Sequence, residues 1–259
     1  MIFESHAHYD DEAFDKDREE LLNSFMDKGI EYVVNIGSTI SDSKKTIELT
    51  KKYPFIYGSI GVHPSETKDM NEDDIKWLKE MSSLDKIIAI GEIGLDYYWD
   101  NVERAVQKHW FERQLDLAKE ANLPVVVHSR DAASDTFDII KNAKLDEKLG
   151  VLHCFAYSKE MAKQYIDMGF YIGVGGVLTF KNARKLREVV EYIPLDYILL
   201  ETDSPYLAPE PNRGKRNDST NLKYVASEIA RIKNIDYEEV IEITRNNGIN
   251  LFRIKDNRK

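Results

Sequence analysis

Eight short apolar runs recur along this 259-residue chain, separated by segments of helical periodicity. The runs cover residues 2–5, 32–36, 55–60, 87–90, 125–127, 151–152, 171–174 and 197–200. They are rich in Ile, Val, Leu and Tyr and do not alternate with polar residues, which is how strands covered on both faces read. Between them, the segment 102–121 places Val102, Ala105, Val106, Trp110, Leu115, Leu117 and Ala118 on one stripe, with Glu, Lys, Arg and Gln on the other face. Segments 131–142 and 159–168 follow the same pattern, and further helical segments extend through Phe252. Eight such units in a chain of this length predict an α/β fold, a (β/α)8 TIM barrel, as a single domain over 1–259. A doubly wound open sheet is the alternative. Closure is favoured because only a barrel gathers the ends of strands one, four, five, six and eight around one axis.

Those ends carry metal-binding side chains. Five of the six histidines, His6, His8, His63, His128 and His153, fall at or just past the end of an apolar run, as do Glu92 and Asp203. His6 and His8 are separated by one residue, so on a strand both point to one face. An isolated pair of this kind is more often a surface feature, and either His128 or His153 alone is more often structural. Four imidazoles and two carboxylates from five strands change that balance. A catalytic zinc keeps three protein ligands and an open position. The set His6, His8, Glu92, His128, His153 and Asp203 therefore suits two metals sharing a carboxylate. Glu92 is the natural bridge, because Lys86 stands at the start of its strand and no lysine is available for carbamylation at the other end. The glycines of GEIG around Glu92 are expected to let the backbone approach a ligand.

Composition sets limits. Hydrophobic residues make up 42% of the chain, enough for a substantial core, and no apolar stretch approaches the roughly 18–20 residues of a membrane span. The opening MIFESHAHYD lacks the basic and apolar regions of a signal peptide. The single cysteine, Cys154, fits a reducing compartment, and a cytoplasmic location is expected. Cys154 itself reads as strand core, pointing away from His153. A net charge of −10 argues against broad duplex binding but not against a nucleic acid handled locally by metals and a few cations.

In order along nearly the whole chain stand SHAHYD, GVHP, GEIGLDYY, PVVVHSR, HCF, YIGVGGVLTF, LLETDSPYLAPEP with RGKR, and NGINLF. This series resembles the TatD-type metal-dependent deoxyribonucleases of the amidohydrolase-like barrel superfamily. The resemblance implies a barrel of the metal-dependent hydrolase type with two divalent ions, Mg²⁺, Mn²⁺ or Zn²⁺. It places one on His6, His8, Glu92 and Asp203 and the second on Glu92, His128 and His153. It further implies phosphodiester hydrolysis, usually of DNA trimmed from the 3′ end. Three departures stand out: Glu4 where Asp is usual, HCFAYS in place of HCFSGS, and RNDST in place of an RNEP-like run. The last two lie in mouth loops and bear on substrate preference.

The mechanism expected of two metals uses a hydroxide held between them as the nucleophile, with Asp203 as general base. His63 is expected near the phosphate and outside the ligand set. Arg130 is expected either to pair with a phosphate oxygen or to form a salt bridge to Asp131 or another acid. Arg213, Lys215 and Arg216 form a basic cluster that can reach the mouth, and Tyr97, Phe155 and Phe180 are candidates for stacking bases, at least one of them as core. The expected partner is DNA, single-stranded or at 3′ ends, with no membrane and no stable protein partner. The alternative is a hydrolase of the same fold acting on a small ester, amide or aminoacyl bond, as in aminoacyl-tRNA deacylation.

Overall fold

Each apolar run forms a strand. In the computed structural model, which describes residues 1–99, 101–145 and 150–255, the strands are β1 (Ile2–Ala7), β2 (Ile30–Ile36), β3 (Ile56–Ile60), β4 (Ile87–Asp96), β5 (Val125–Arg130), β6 (Gly150–Leu152), β7 (Tyr171–Val174) and β8 (Ile198–Leu200). The helices are α1 (Arg18–Asn23), α2 (Ile40–Lys52), α3 (Glu72–Met81), α4 (Arg104–Ala121), α5 (Ala133–Ala143), α6 (Lys159–Asp167), α7 (Arg184–Tyr192), α8 (Leu222–Lys233) and α9 (Tyr237–Phe252). Several begin where a side chain satisfies an orphan backbone N–H: Thr39 caps α2, Asn71 caps α3 in a capping box with Asp74, and Ser158 caps α6. No described helix is long and apolar enough to cross a membrane.

The strands lie in chain order and every neighbouring pair is parallel. A doubly wound sheet reverses its order at a switch point, and this one does not. The remaining gap closes just past β8. Ala7 bridges Ser204, the Asp203 N–H donates to the His6 carbonyl at 2.9 Å, and the Ser5 hydroxyl donates to the Leu200 carbonyl at 2.9 Å. The fold is a (β/α)8 barrel. One buried cluster unites Phe3, Val34, Ile88, Val126, Val151 and Leu199 from six strands, contacts that only a barrel interior permits. A larger cluster joins neighbouring strand positions such as Val125, Val127 and Leu200 to the apolar faces of the helices.

Helix α4 departs from its expected stripe. It starts at Arg104, and Ala105 is exposed, whereas Gln107 and Gln114 are buried. The Gln107 carboxamide accepts from the Asp96 N–H and donates to the Asp96 carbonyl, both at 2.9 Å. Gln114 treats Val62 the same way, at 2.8 and 3.1 Å. Backbone groups where a strand pairing stops need partners, and these two glutamines supply them.

Candidate metal centre

The predicted ligands converge at the C-terminal ends of the strands. His6 Nε2 lies 3.2 Å from His8 Nε2, 3.5 Å from Glu92 Oε2 and 3.6 Å from Asp203 Oδ1. His8 Nε2 lies 3.9 Å from the same Glu92 oxygen and 3.4 Å from the same Asp203 oxygen. Donors around a tetrahedral zinc at 2.0–2.1 Å stand about 3.3 Å apart. These four side chains present lone pairs at close to that mutual spacing. The other oxygen of Glu92, Oε1, faces a second group: His128 Nδ1 at 2.9 Å, and His63 Nε2 and His153 Nε2 each at 3.8 Å. His153 Nε2 also reaches Asp203 Oδ1 at 3.9 Å. One carboxylate thus turns its two oxygens toward two sets of imidazoles.

Local structure explains how Glu92 reaches that position. The pairing of β4 with β5 slips between Ile90 and Ile93, and Glu92 stands in the irregularity, where a bulge re-aims a side chain. The flanking glycines serve this packing. A Cβ on Gly91 would stand 2.6 Å from Val126 Cβ, and one on Gly94, whose φ is +143°, would stand 1.9 Å from the His128 carbonyl oxygen. Only glycine lets the two strands draw this close. Lys86, at the far end of β4, donates to the carbonyls of Thr50 and Tyr53, away from the centre.

Three of the four imidazoles face a partner from behind, as metal-binding histidines usually do, while His6 Nδ1 is buried without a hydrogen-bond partner. His8 Nδ1 bonds the Ile36 carbonyl at 2.9 Å, which turns Nε2 toward the centre. His153 Nδ1 faces Glu201 Oε2 at 3.3 Å, and the other Glu201 oxygen accepts from the Cys154 N–H at 2.6 Å. His128 Nε2 meets Asp96 Oδ2 at 3.0 Å. Glu201 and Asp96 were not among the predicted residues. Each lies an even number of residues from a predicted carboxylate, Glu201 two before Asp203 and Asp96 four after Glu92, and strand alternation was the available signal.

The charges balance against burial. Burial acts against a proton on His8, yet Asp203 and Glu92 outweigh it and hold the pKa up to about 9. For His153 burial is likewise outweighed, by Glu201 and Glu92, and the pKa stands at about 10. Burial and the neighbouring His153 push His6 down. Burial resists ionisation of Glu92 and of Asp203, but the surrounding histidines hold both below the usual carboxylate range. A buried set that takes up protons at these donor atoms can exchange them for a divalent cation.

The remaining predicted residues divide. His63 caps the turn Pro64–Asp69, its Nδ1 accepting from the Ser65 N–H at 3.2 Å. Burial and His128 push its pKa down to about 3, and its Nε2 faces Glu92 at 3.8 Å. With Glu92 and His128 it forms a group close enough together to hold a metal ion. Arg130 does not form the expected salt bridge to Asp131 or another acid. Among the described residues no carboxylate pairs with it, and its guanidinium stacks on the Tyr98 ring at 3.7 Å. Two adjoining cavities of about 780 and 710 Å³ open over the centre and share His128, Arg130, His153, Asp203 and Tyr206. Arg213 and Lys215 are exposed and line neither; Arg213 stacks on Phe180 at 4.4 Å. Arg216 is engaged elsewhere, donating to both oxygens of Asp17 at 2.7 and 2.6 Å. The stacking candidates are also packed: Phe155 is buried, and the Tyr97 hydroxyl donates to Asp135 with Arg104 over its ring. Cys154 lies in a turn with φ 46°, half-buried and lining the larger cavity, so it is not strand core.

A barrel with imidazoles and carboxylates gathered at this end of its strands defines a metal-dependent hydrolase. Comparison with known proteins agrees. The model of the family described as TatD related DNase matches residues 3–253. The chain is 44% identical over 254 residues to the Bacillus subtilis protein named uncharacterized metal-dependent hydrolase YabD, covering 98% of this chain and all of that one. It is 35% identical over 261 residues to YcfH of Escherichia coli K12, which carries the same description, covering 100% of this chain and 98% of that one. The crystal structure of YJJV, a TatD homolog from Escherichia coli K12, superposes with a TM-score of 0.93 at 28% identity and 98% coverage of both chains. The chain belongs to the TatD family of metal-dependent hydrolases.

Proposed function

We propose that this hydrolase is a deoxyribonuclease that cleaves DNA phosphodiester bonds, by preference from a 3′ end. The observation that carries the reading is the division of Glu92, whose oxygens face two imidazole groups, with His63 and Arg130 left beside them as donors for a phosphate. In it, His6, His8, Glu92 and Asp203 would hold one divalent ion and Glu92, His128 and His153 a second. When bound, such ions supply a nucleophilic water at neutral pH and stabilise charge on the phosphate.

The chain's own groups do the rest. Asp203, kept ionised by its histidines, accepts the proton of the attacking water. His63 donates its Nε2–H to a non-bridging phosphate oxygen, and Ser65 keeps the ring in the tautomer that can do so. Arg130, exposed at the rim, pairs with the same or the adjacent phosphate. Glu201 and Asp96 hold His153 and His128 in place from behind.

The test offers 3′- and 5′-labelled single-stranded DNA, with generic ester, amide and aminoacyl-ester substrates, to protein stripped of metal and reconstituted with Mg²⁺, Mn²⁺ or Zn²⁺. Metal-dependent shortening from the 3′ end supports the reading. Turnover of an ester or aminoacyl bond with DNA untouched overturns it.

A further inference from the structure

The aromatic side chains that stand free at the mouth are not those expected. Tyr98 is 54% exposed, Trp99 55% and Tyr206 56%. Trp99 and Tyr206 line the same cavity as Glu92, His63 and Asp203. Tyr98 meets Trp99 edge to face, ring centroids 5.0 Å apart. The turn that carries both is tied to the metal centre by one carboxylate. Asp96 Oδ1 accepts from the N–H groups of Tyr98 and Trp99, at 2.9 and 3.2 Å, while Asp96 Oδ2 touches His128. Tyr206 is steadied from the other direction, its hydroxyl donating to Asp11 at 3.0 Å. Arg130 lies flat on Tyr98, 3.7 Å from its centroid and 6.0 Å from that of Trp99.

Leaving an indole and two phenols in water is unfavourable for the isolated fold. Here they lie at the catalytic mouth beside a cation that no carboxylate engages among the described residues. A ligand suited to this arrangement has a flat π-face and carries a phosphate. Resting on the proposed nuclease reading, the geometry points to a base-stacking subsite: an unpaired base next to the scissile phosphate stacks on Trp99, and Arg130, held flat by Tyr98, takes the neighbouring phosphate. A base inside a duplex has both faces covered by its neighbours and cannot enter. The subsite therefore selects single-stranded or frayed DNA, and it does so without reading sequence, because every base offers a π-face.

The experiment compares binding of fluorescein-labelled tetrathymidylate with that of an equally long chain of base-free deoxyribose phosphates. Both carry phosphorothioate linkages to prevent turnover, and anisotropy is read on chelated and on Mn²⁺-loaded protein. Wild type is expected to prefer the thymidylate by about five- to hundredfold, the range that stacking of a base on an aromatic ring provides. Trp99→Ala should bind both chains alike, and Trp99→Phe should recover most of the preference. The proposal is overturned if wild type binds the two chains equally, or neither, in both metal states, or if Trp99→Ala keeps the preference. Hydrolysis of unmodified single-stranded DNA is scored separately. Cleavage without base preference removes the subsite and leaves the nuclease reading standing. Base preference without cleavage does the reverse.

Discussion

Glu4 accepts hydrogen bonds from both the backbone N–H and the hydroxyl of Thr202, at 3.0 and 2.7 Å, across 198 residues of sequence. The same carboxyl accepts from the His6 N–H at 3.1 Å and the Ser219 hydroxyl at 2.9 Å. It therefore joins the strand that carries His6 to the segment that carries Asp203, at the seam where the barrel closes. Glu4→Ala leaves these buried donors unsatisfied and is expected to cost about 3 kcal/mol or more, with weakened metal retention. Glu4→Gln, which keeps one acceptor oxygen, should cost less. Chemical denaturation with metal analysis checks both; a Glu4→Ala variant as stable as wild type would contradict the assignment.

Asp203→Asn should retain most of the bound metal yet lose roughly 10²- to 10⁴-fold in kcat, the usual contribution of a positioned base. Turnover close to the wild-type rate at saturating metal would remove Asp203 from that role.

Stability of the metal-free protein should fall as the solution becomes alkaline. His8 and His153 titrate at about 9 and 10 in the fold, above the ordinary 6.5. The stability their charged forms contribute is complete below 6.5 and disappears as pH rises through 9 to 10. Glu4, which burial pushes up to about 8, acts in the same direction from 4.5 upward. Metal replaces protons at the histidines, so loading should release protons into a weakly buffered solution and flatten the decline. Melting curves at pH 6.5 and pH 10, with and without chelator, decide this; a metal-free protein more stable at pH 10 would reverse the sign.

The basic loop should separate by residue. Arg216, which clamps Asp17 and lies over Phe14 at 4.6 Å, is structural. As a partly exposed pair it should cost at most about 1 kcal/mol when changed to Gln. Arg213 and Lys215 have no carboxylate partner among the described residues. Changing both to Gln should raise KM for an oligonucleotide and flatten its salt dependence, with little effect on a minimal chromogenic diester. An equal loss in kcat on both substrates would place the loop in the reaction centre.

The barrel was legible because eight apolar runs interrupted by amphipathic segments allow few other solutions, and the cluster of imidazoles and carboxylates because its members end those runs. What escaped depended on tertiary pairing. Gln107 and Gln114 look like surface residues until Asp96 and Val62 are seen to need partners. The packing need for glycine at Gly91 and Gly94 shows only when Val126 and His128 are found against them. Of the residues in GEIGLDYYW, Tyr97 turns toward Asp135, while Tyr98 and Trp99 face solvent, because Asp96 fixes the turn. No periodicity in so short a stretch distinguishes those outcomes.

The bridging role proposed for Glu92 is tested most directly by counting metal. Elemental analysis of active wild-type protein should give about two divalent ions per chain, the number that the surplus of ligands over a single catalytic zinc implies. Glu92→Ala should lose both ions and all hydrolysis, whereas His6→Ala or His128→Ala should each weaken mainly one. A single ion per active chain, or a Glu92→Ala variant with its full complement, would contradict the account.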